Sequence, residues 1–569
     1  MKKWIYLCLM VVYPLSTIAQ LSTHELPTSF NITKGTLGSP QMVRMPSLDM
    51  ATIEREDTEA LRLGRPQRIG FRHKVNYSLD NSGSWYTLPN GDRLWQFRVI
   101  CPKALSVVLL FDRFWLPHGS KFFVYSSDKK QHLGAFTSRN NKGSRTNIRG
   151  FATGFIFSDD VVLEYYQPQE VRDDAIISLE YVVHGYRSVD WGEELNRASS
   201  SCLINVNCEE GQNWQAEKRA VAQILVSGES LCSGALVNTT DASLKPYLLT
   251  ADHCLYRWIN GQNIKYDAYN LPNLDHWVFY WNYEISGCAY SAPDTTYYST
   301  NGATIVANYG FSDFALLRLD EDPKEISNYA PYYLGWDNSG NSGNPGVCIH
   351  HPYGDIKCIS TVESNPTPQY NTAPNGLSLP NNWIVYWATT ENGLSVTSGG
   401  SSGSPLFNSS HYVIGQLRGG QSSCFLPGPD RFGRLDASWS AAGLNSSGYG
   451  RRLDHWLDSI GTGQHVATGL LLVPCSLTIE ADQLLFGDIL IRNGGHLLIN
   501  SDIVMQDGSS ITIEAGGALT VDGGTLTNVN VVLNPSGRLY LYNDGTIETR
   551  NGFTAPTGSI CEIYHGKIS

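Results

Sequence analysis

After residue 20 the chain contains no run of the ~20 apolar residues that a membrane-crossing helix needs. It also lacks any block of Lys and Arg. Its 41 basic against 53 acidic residues leave a net charge of −12, which argues against a nucleic-acid partner. None of the 12 cysteines forms a Cys-x-x-Cys pair. In an oxidising compartment they therefore read as disulfides rather than metal ligands, and no metal or organic cofactor is implied. Helical periodicity is scarce as well. In the region 202–460 it appears only in "RRLDHWLDSI", where Leu453, Trp456, Leu457 and Ile460 fall at i, i+3, i+4, i+7 and are expected to bury one face.

At the start, Lys2 and Lys3 precede an apolar run from Trp4 to Leu15, and Thr17 and Ala19 prepare a cut before Gln20. This pattern predicts an export signal over 1–19. Cys8 lies inside the run rather than at its end, which argues against a lipid anchor. The mature chain is thus expected to be secreted, extracellular or at the cell surface, without a membrane span.

The 569 residues leave room for three or four domains. Residues 20–70 are polar, and "TIEREDTEALRLGRP" reads as a short helix or a leader. From about 71 to 190 the segments "RLWQFRVI", "ALSVVLLF", "KFFVYSS", "DDVVLEYY" and "AIISLEYVVHGY" alternate and are rich in β-branched and aromatic residues, which predicts a β-sandwich. Cys101 reads there as a buried thiol. The small-residue stretch "NRASSSC" then suits a processed boundary. From about 476 the pattern Gly495-x-Leu497-x-Ile499 recurs as Gly517-x-Leu519-x-Val521 and Gly537-x-Leu539-x-Leu541, at spacings of 22 and 20. One alternating strand per repeat predicts a β-solenoid stack serving structure or attachment.

Between these regions, "YLLTADHC" carries His253, "SDFALLRL" carries Asp313, and "VTSGGSSGSPLF" carries three candidate serines. A hydroxyl needs a base to become a nucleophile at neutral pH, and that base needs an acceptor to fix its tautomer. The order His, Asp, Ser, together with "LCSGALVN", "SDFALLRL" and "GSSGSP", resembles the three boxes of trypsin-like serine endopeptidases. More narrowly, "SCLINVNC", "GWDNSGN", "IHHP", "GSSGSP", "GQLRGGQSSC" and "DRFGRL", in this order over residues 198–465, resemble the lysyl endopeptidase branch.

The resemblance implies an all-β, double-barrel protease domain with His253, Asp313 and Ser402 as catalytic residues. The N–H groups of Gly400 and Ser402 would form the oxyanion hole. It implies disulfides Cys202–Cys424 and Cys208–Cys288, with Cys232–Cys254 joining the strand and loop that flank His253. Parity adds Cys348–Cys358. Ser401 stands where trypsin has the aspartate that pairs with a new N-terminus, so that activation switch is absent. His350 and His351 lack a third ligand and read as structural.

Trypsin's specificity aspartate lies six residues before the nucleophile, where this chain has Val396. In the lysyl branch the opposite wall binds the substrate lysine through an aspartate matching Asp430. A buried carboxylate favours an entering cation; the alternative is that Asp430 pairs with Arg431 or Arg434. Arg418 replaces the family's cleft histidine. It would either stack on an aromatic at the Tyr370 position or reach Asp430 and weaken the lysine preference.

The expectation is a secreted serine endopeptidase cleaving protein or peptide substrates after basic residues, lysine favoured. Its layout would be signal 1–19, propeptide 20–197 acting as inhibitor, protease 198–465 and β-repeat module 476–569. The alternatives are an adhesin or binding protein with an inactive protease fold, and a protease of arginine or relaxed specificity.

Overall fold

The computed structural model describes residues 25–33, 37–62, 66–188, 202–259, 262–289, 297–425, 428–444 and 448–569. The expected export signal, with Cys8, and the expected cut after Arg197 lie outside the described residues. No helix among those described is long and apolar enough to cross a membrane. The fold is nearly all β, in three successive units.

The first unit is a sandwich. A helix, Met50–Arg62, covers the segment read as helix or leader. Strands Arg93–Ile100, Asp160–Gln167 and Lys121–Ser126 are neighbours in a six-stranded sheet, while Ser106–Trp115, Ile176–Gly185 and Gly70–Ser78 are neighbours in a four-stranded one. Alternate residues of facing strands (Trp95, Phe97 and Val99 from one sheet, Val107, Leu109 and Phe111 from the other) are buried in one cluster. Period-two alternation fills the space between the sheets as anticipated.

The second unit consists of two antiparallel sheets. One runs, in spatial order, through Tyr298–Asn301, Trp277–Trp281, Val221–Val226, Ser230–Leu236, Tyr247–Ala251, Phe314–Leu319 and Ala303–Tyr309. The other includes Cys358–Thr361, Pro345–His350, Pro405–Asn408, Val413–Gly420, Asp430–Arg434 and Ser378–Val385 in that order. Two packed, largely antiparallel sheets agree with the all-β double-barrel layout expected from the sequence. His253 and Asp313 sit at strand ends of the first sheet and Ser402 just ahead of a strand of the second.

The "RRLDHWLDSI" expectation needs correction. Only Asp454–Leu457 is helical. Leu453 and Leu457 are fully buried, but Ile460 is 63% exposed, because the helix has ended before that residue could return to the buried face.

The third unit is a solenoid of parallel strands. Leu497, Leu519 and Leu539 stack in register, as do Ile499, Val521 and Leu541, and all six are fully buried. The repeated glycines have a steric cause. A Cβ on Gly495 would lie 2.1 Å from Val473 O, and one on Gly517 2.8 Å from Ile491 O, so only glycine lets each coil settle on the one before.

The units pack on one another. Tyr332 pairs with Leu471 of the first solenoid rung, and its hydroxyl donates to Phe486 O at 2.6 Å. The His411 ring is sandwiched between Trp214 and Phe486, with centroids 3.6 and 3.5 Å away. On the sandwich side, Arg149 bridges Asp275 and Asp320 of the double barrel, and Phe155 stacks on Tyr280.

Candidate active site

His253 lies in a single helical turn, Asp252–Leu255, that follows the strand Tyr247–Ala251. Asp313 immediately precedes the strand Phe314–Leu319, which pairs with that same strand. Its backbone is in the left-handed region, φ 56°, which an aspartate tolerates better than most residues. Two bonds hold it there: Asp252 N–H donates to Asp313 O, and His253 N–H donates to Asp313 Oδ1, each at 2.9 Å. The other carboxylate oxygen meets His253 Nδ1 at 2.7 Å. That contact places the ring proton on Nδ1 and leaves Nε2 as the acceptor.

Ser402 comes from the second sheet and reaches this pair through the backbone. Its carbonyl accepts from Ser233 N–H at 2.7 Å, and the Cys254 sulfur lies 3.9 Å from the same oxygen. Just before it, Gly400 has φ +91° and no room for a side chain, since a Cβ would come 2.8 Å from His351 O. Among the described residues, neither the Gly400 nor the Ser402 N–H has an acceptor. Two unpaired backbone donors on either side of Ser401, one of them belonging to Ser402 itself, can stabilise an oxyanion formed when the Ser402 hydroxyl attacks a carbonyl.

Ser401 is fully buried and is held by His350, whose Nδ1 lies 2.7 Å from its hydroxyl. The far nitrogen of His350 meets Ser360 Oγ at 3.0 Å. Burial drives the His350 pKa down to about 3, so the ring stays neutral and serves as a polar pin. His351, also buried, bonds through Nδ1 to Asp355 O at 3.0 Å.

Asp430 is completely buried. Its Oδ2 accepts from Trp387 Nε1 at 2.8 Å, Thr397 Oγ1 at 2.6 Å and Ser422 Oγ at 2.5 Å, and Oδ1 accepts from Ser422 N–H at 3.2 Å. All four donors are neutral. Arg434 pairs with Asp436 instead and stacks on Trp383, and no ion pair joins Asp430 to Arg431 among the described residues. The alternative in which Asp430 is neutralised by a neighbouring arginine is therefore set aside.

Residues 196–433 match the family described as "Lysyl endopeptidase, C-terminal domain". Over that stretch the chain is similar to a serine protease domain. Similar solved structures include the active form of the Rv3671c protease from M. tuberculosis, at 12% identity over 41% of this chain and 85% of that one, TM-score 0.25. The thermostable serine protease AL20 from an extremophilic microorganism is similar at 16% identity over 38% and 92%, TM-score 0.24. So is a Glu endopeptidase in complex with MPD, at 16% identity over 38% and 86%, TM-score 0.24.

In this protease domain three of the four expected disulfides are present: Cys202–Cys424, Cys208–Cys288 and Cys232–Cys254. The pair Cys348–Cys358 is not; both are buried free thiols. They sit on adjacent strands out of register, Cys348 opposite Ser360 and Cys358 opposite His350. Cys348 packs with Trp383 and Leu406, whereas Cys358 packs with Leu203 and Val396. Parity misled because it assumes that every cysteine after the leader is oxidised.

Arg418 also departs from expectation. It neither reaches Asp430 nor stacks on Tyr370, which is 60% exposed on a hairpin. Its Nη1 donates to Phe311 O at 3.3 Å and to Asn382 Oδ1 at 3.5 Å. Sequence reasoning read His350 as structural, the role it has here, but missed Ser233, Trp387, Thr397 and Ser422. Ser422 and Thr397 lie inside motifs already singled out, but that both bond to Asp430 emerges only when the loops carrying them meet the strand Asp430–Arg434.

Proposed function

We propose that the serine protease domain hydrolyses peptide bonds after basic residues, lysine favoured, through His253, Asp313 and Ser402, in a chain exported as a zymogen. Asp430 carries the substrate reading. It is a fully buried carboxylate bound by four neutral donors and, among the described residues, by no cation, and a buried carboxylate in that state gains most from an incoming ammonium or guanidinium. Arg418 points elsewhere, so competition for Asp430 does not support the relaxed-specificity alternative.

In this mechanism Ser402 Oγ attacks the carbonyl carbon while His253 Nε2 accepts its proton, and Asp313 stabilises the resulting imidazolium. The Gly400 and Ser402 N–H groups hold the oxyanion. His253 then gives the proton to the leaving amine, and the acyl-enzyme forms. Water, deprotonated by the same imidazole, releases the acid and restores Ser402.

The N-terminal sandwich would act as the latency element. Arg68 forms an antiparallel bridge with Ser230, and Ile69 N–H donates to Glu229 O at 2.6 Å. A Cβ on Gly399, next to the oxyanion donors, would come 3.2 Å from Gln67 Oε1. This strap is pinned by Arg68 to Asp57 and Glu56, at 2.8 and 2.9 Å. Such a segment occupies space beside Ser402 that a polypeptide substrate would need.

Labelling with an organophosphonate after processing separates this reading from an inactive adhesin. Modification at Ser402 is expected, and an unlabelled but folded protein would favour the adhesin. Sequencing the peptides from a digest of an unstructured protein should give C-terminal Lys, with some Arg.

A further inference from the structure

A second feature of the cleft lies beside the Asp430 pocket. An open groove of about 520 Å³ is lined by Arg418 and Arg431 together with the amides of Gln369, Asn371, Asn381 and Asn382. No carboxylate lines it. The amides largely satisfy one another: Asn371 Nδ2 donates to Asn381 Oδ1 at 2.6 Å, and Asn382 Nδ2 reaches Asn381 Oδ1 at 3.3 Å. The arginines differ. Arg418 bonds only to neutral oxygens, and Arg431 makes no ion pair among the described residues. Arg434, three residues on, is fully engaged by Asp436 and Trp383. Two cations without anionic partners therefore share one groove on a chain whose net charge is −12.

The groove lies where a substrate would run. Gly420 is paired with Asp430 and Gly419 with Arg431, so stepping back along the strand Val413–Gly420 leads from the specificity pocket to the groove. The inner edge of that strand is used by Ser404 and Gly403 as far as Leu417, with both bonds at 2.8 Å. Beyond Leu417, among the described residues, only the edge facing Asp430–Arg434 is paired. An extended peptide can add there as a further strand. At about 3.3 Å per residue, side chains two to four positions before the cleaved bond would reach the arginines.

We infer that this groove is an acidic-residue subsite: Arg418 and Arg431 select substrates with Asp or Glu within the three residues that precede the basic one. The inference rests on the protease reading and adds to it a second, oppositely charged determinant. The preferred sequence would thus be acidic then basic, the acid met by the arginines and the base by Asp430. Because the groove is open to solvent, each contact is worth a modest factor and is screened by salt.

The test uses the processed enzyme and fluorogenic peptides with Lys at the cleaved position and Glu, Gln or Lys at each of the three preceding positions in turn. At one position or more, kcat/KM is expected to rank Glu above Gln above Lys, by about five-fold per step at low salt, and the ratio should shrink at high salt. Arg431→Gln should collapse the Glu-to-Gln ratio, and Arg431→Lys should keep most of it. Equal rates for the three peptides at every position, or a preference for Lys, would overturn the subsite while leaving the protease reading intact. Hydrolysis of none of the peptides, the Gln series included, would overturn the protease reading and this inference with it.

Discussion

Ser401 and Ser402 are neighbours with opposite fates. Ser401 is pinned inward by His350, while Ser402 is only partly buried, and that contrast supports Ser402 as the proposed nucleophile in a serine-rich loop. Asp430 is the other decisive residue. Its partners are four neutral donors rather than a cation, so Asp430→Asn should fold and label normally at Ser402. Its kcat/KM on lysyl substrates should fall by a few kcal/mol of transition-state binding, the usual cost of breaking a desolvated charge pair. A variant that keeps the wild-type preference for basic residues would remove Asp430 from the pocket.

At the scale of strands, register decides chemistry. Cys348 and Cys358 face different partners across the same pair of strands, so thiol titration of the denatured, unreduced chain lacking the expected export signal should find five thiols, those of the described residues Cys101, Cys348, Cys358, Cys475 and Cys561. Three thiols would mean that an additional disulfide forms. Cys475 and Cys561 cannot supply it, because they flank opposite ends of a sheet of five parallel strands, about 19 Å apart at 4.8 Å per strand.

The strand Ile176–Gly185 carries a second consequence of register. His184 is buried with its ring 5.9 Å from His73, and burial, with His73 adding to it, lowers its pKa to about 4. A histidine whose folded pKa is depressed favours the folded state when neutral. This stability is full above about 6.5 and is lost as the pH falls through about 4. The melting temperature of the full chain should therefore decline over that range, and His184→Gln should flatten the slope. An unchanged slope in the variant would remove His184 as its source.

Across the whole molecule the three units share interfaces rather than hanging from linkers. The solenoid continues the hydrophobic core of the double barrel through Tyr332, Tyr333 and Leu471. The sandwich lays residues 66–70 along Glu229–Ser230. In the proposed zymogen, activation would require the sandwich to leave, with the cut expected at the pattern change in "NRASSSC". The active form should begin close to Ala198, as N-terminal sequencing would show. A start far inside the sandwich would refute both the boundary and the strap as the latency element.

Much of this was determined by sequence alone. Alternating segments such as "RLWQFRVI" became strands because period-two patterns bury one face whatever their partner. The Gly-x-Leu-x-Ile repeats became stacked rungs because each repeat needs the next to cover its apolar edge. His253, Asp313 and Ser402 stand in short motifs that made them candidates, whereas the bond between His253 and Asp313 needs the fold to bring them together. Tertiary structure alone decided the rest. The four donors around Asp430 come from three residues, Trp387, Thr397 and Ser422, the redox state of Cys348 and Cys358 depends on strand register, and the course of Arg418 depends on the loop holding Phe311. Ile460 was misjudged for a related reason, since a periodic pattern does not say how long a helix persists once neighbouring units have covered its apolar face. Local patterning fixes which elements form and which face they bury, whereas the meeting of side chains from distant segments is set by how those elements pack.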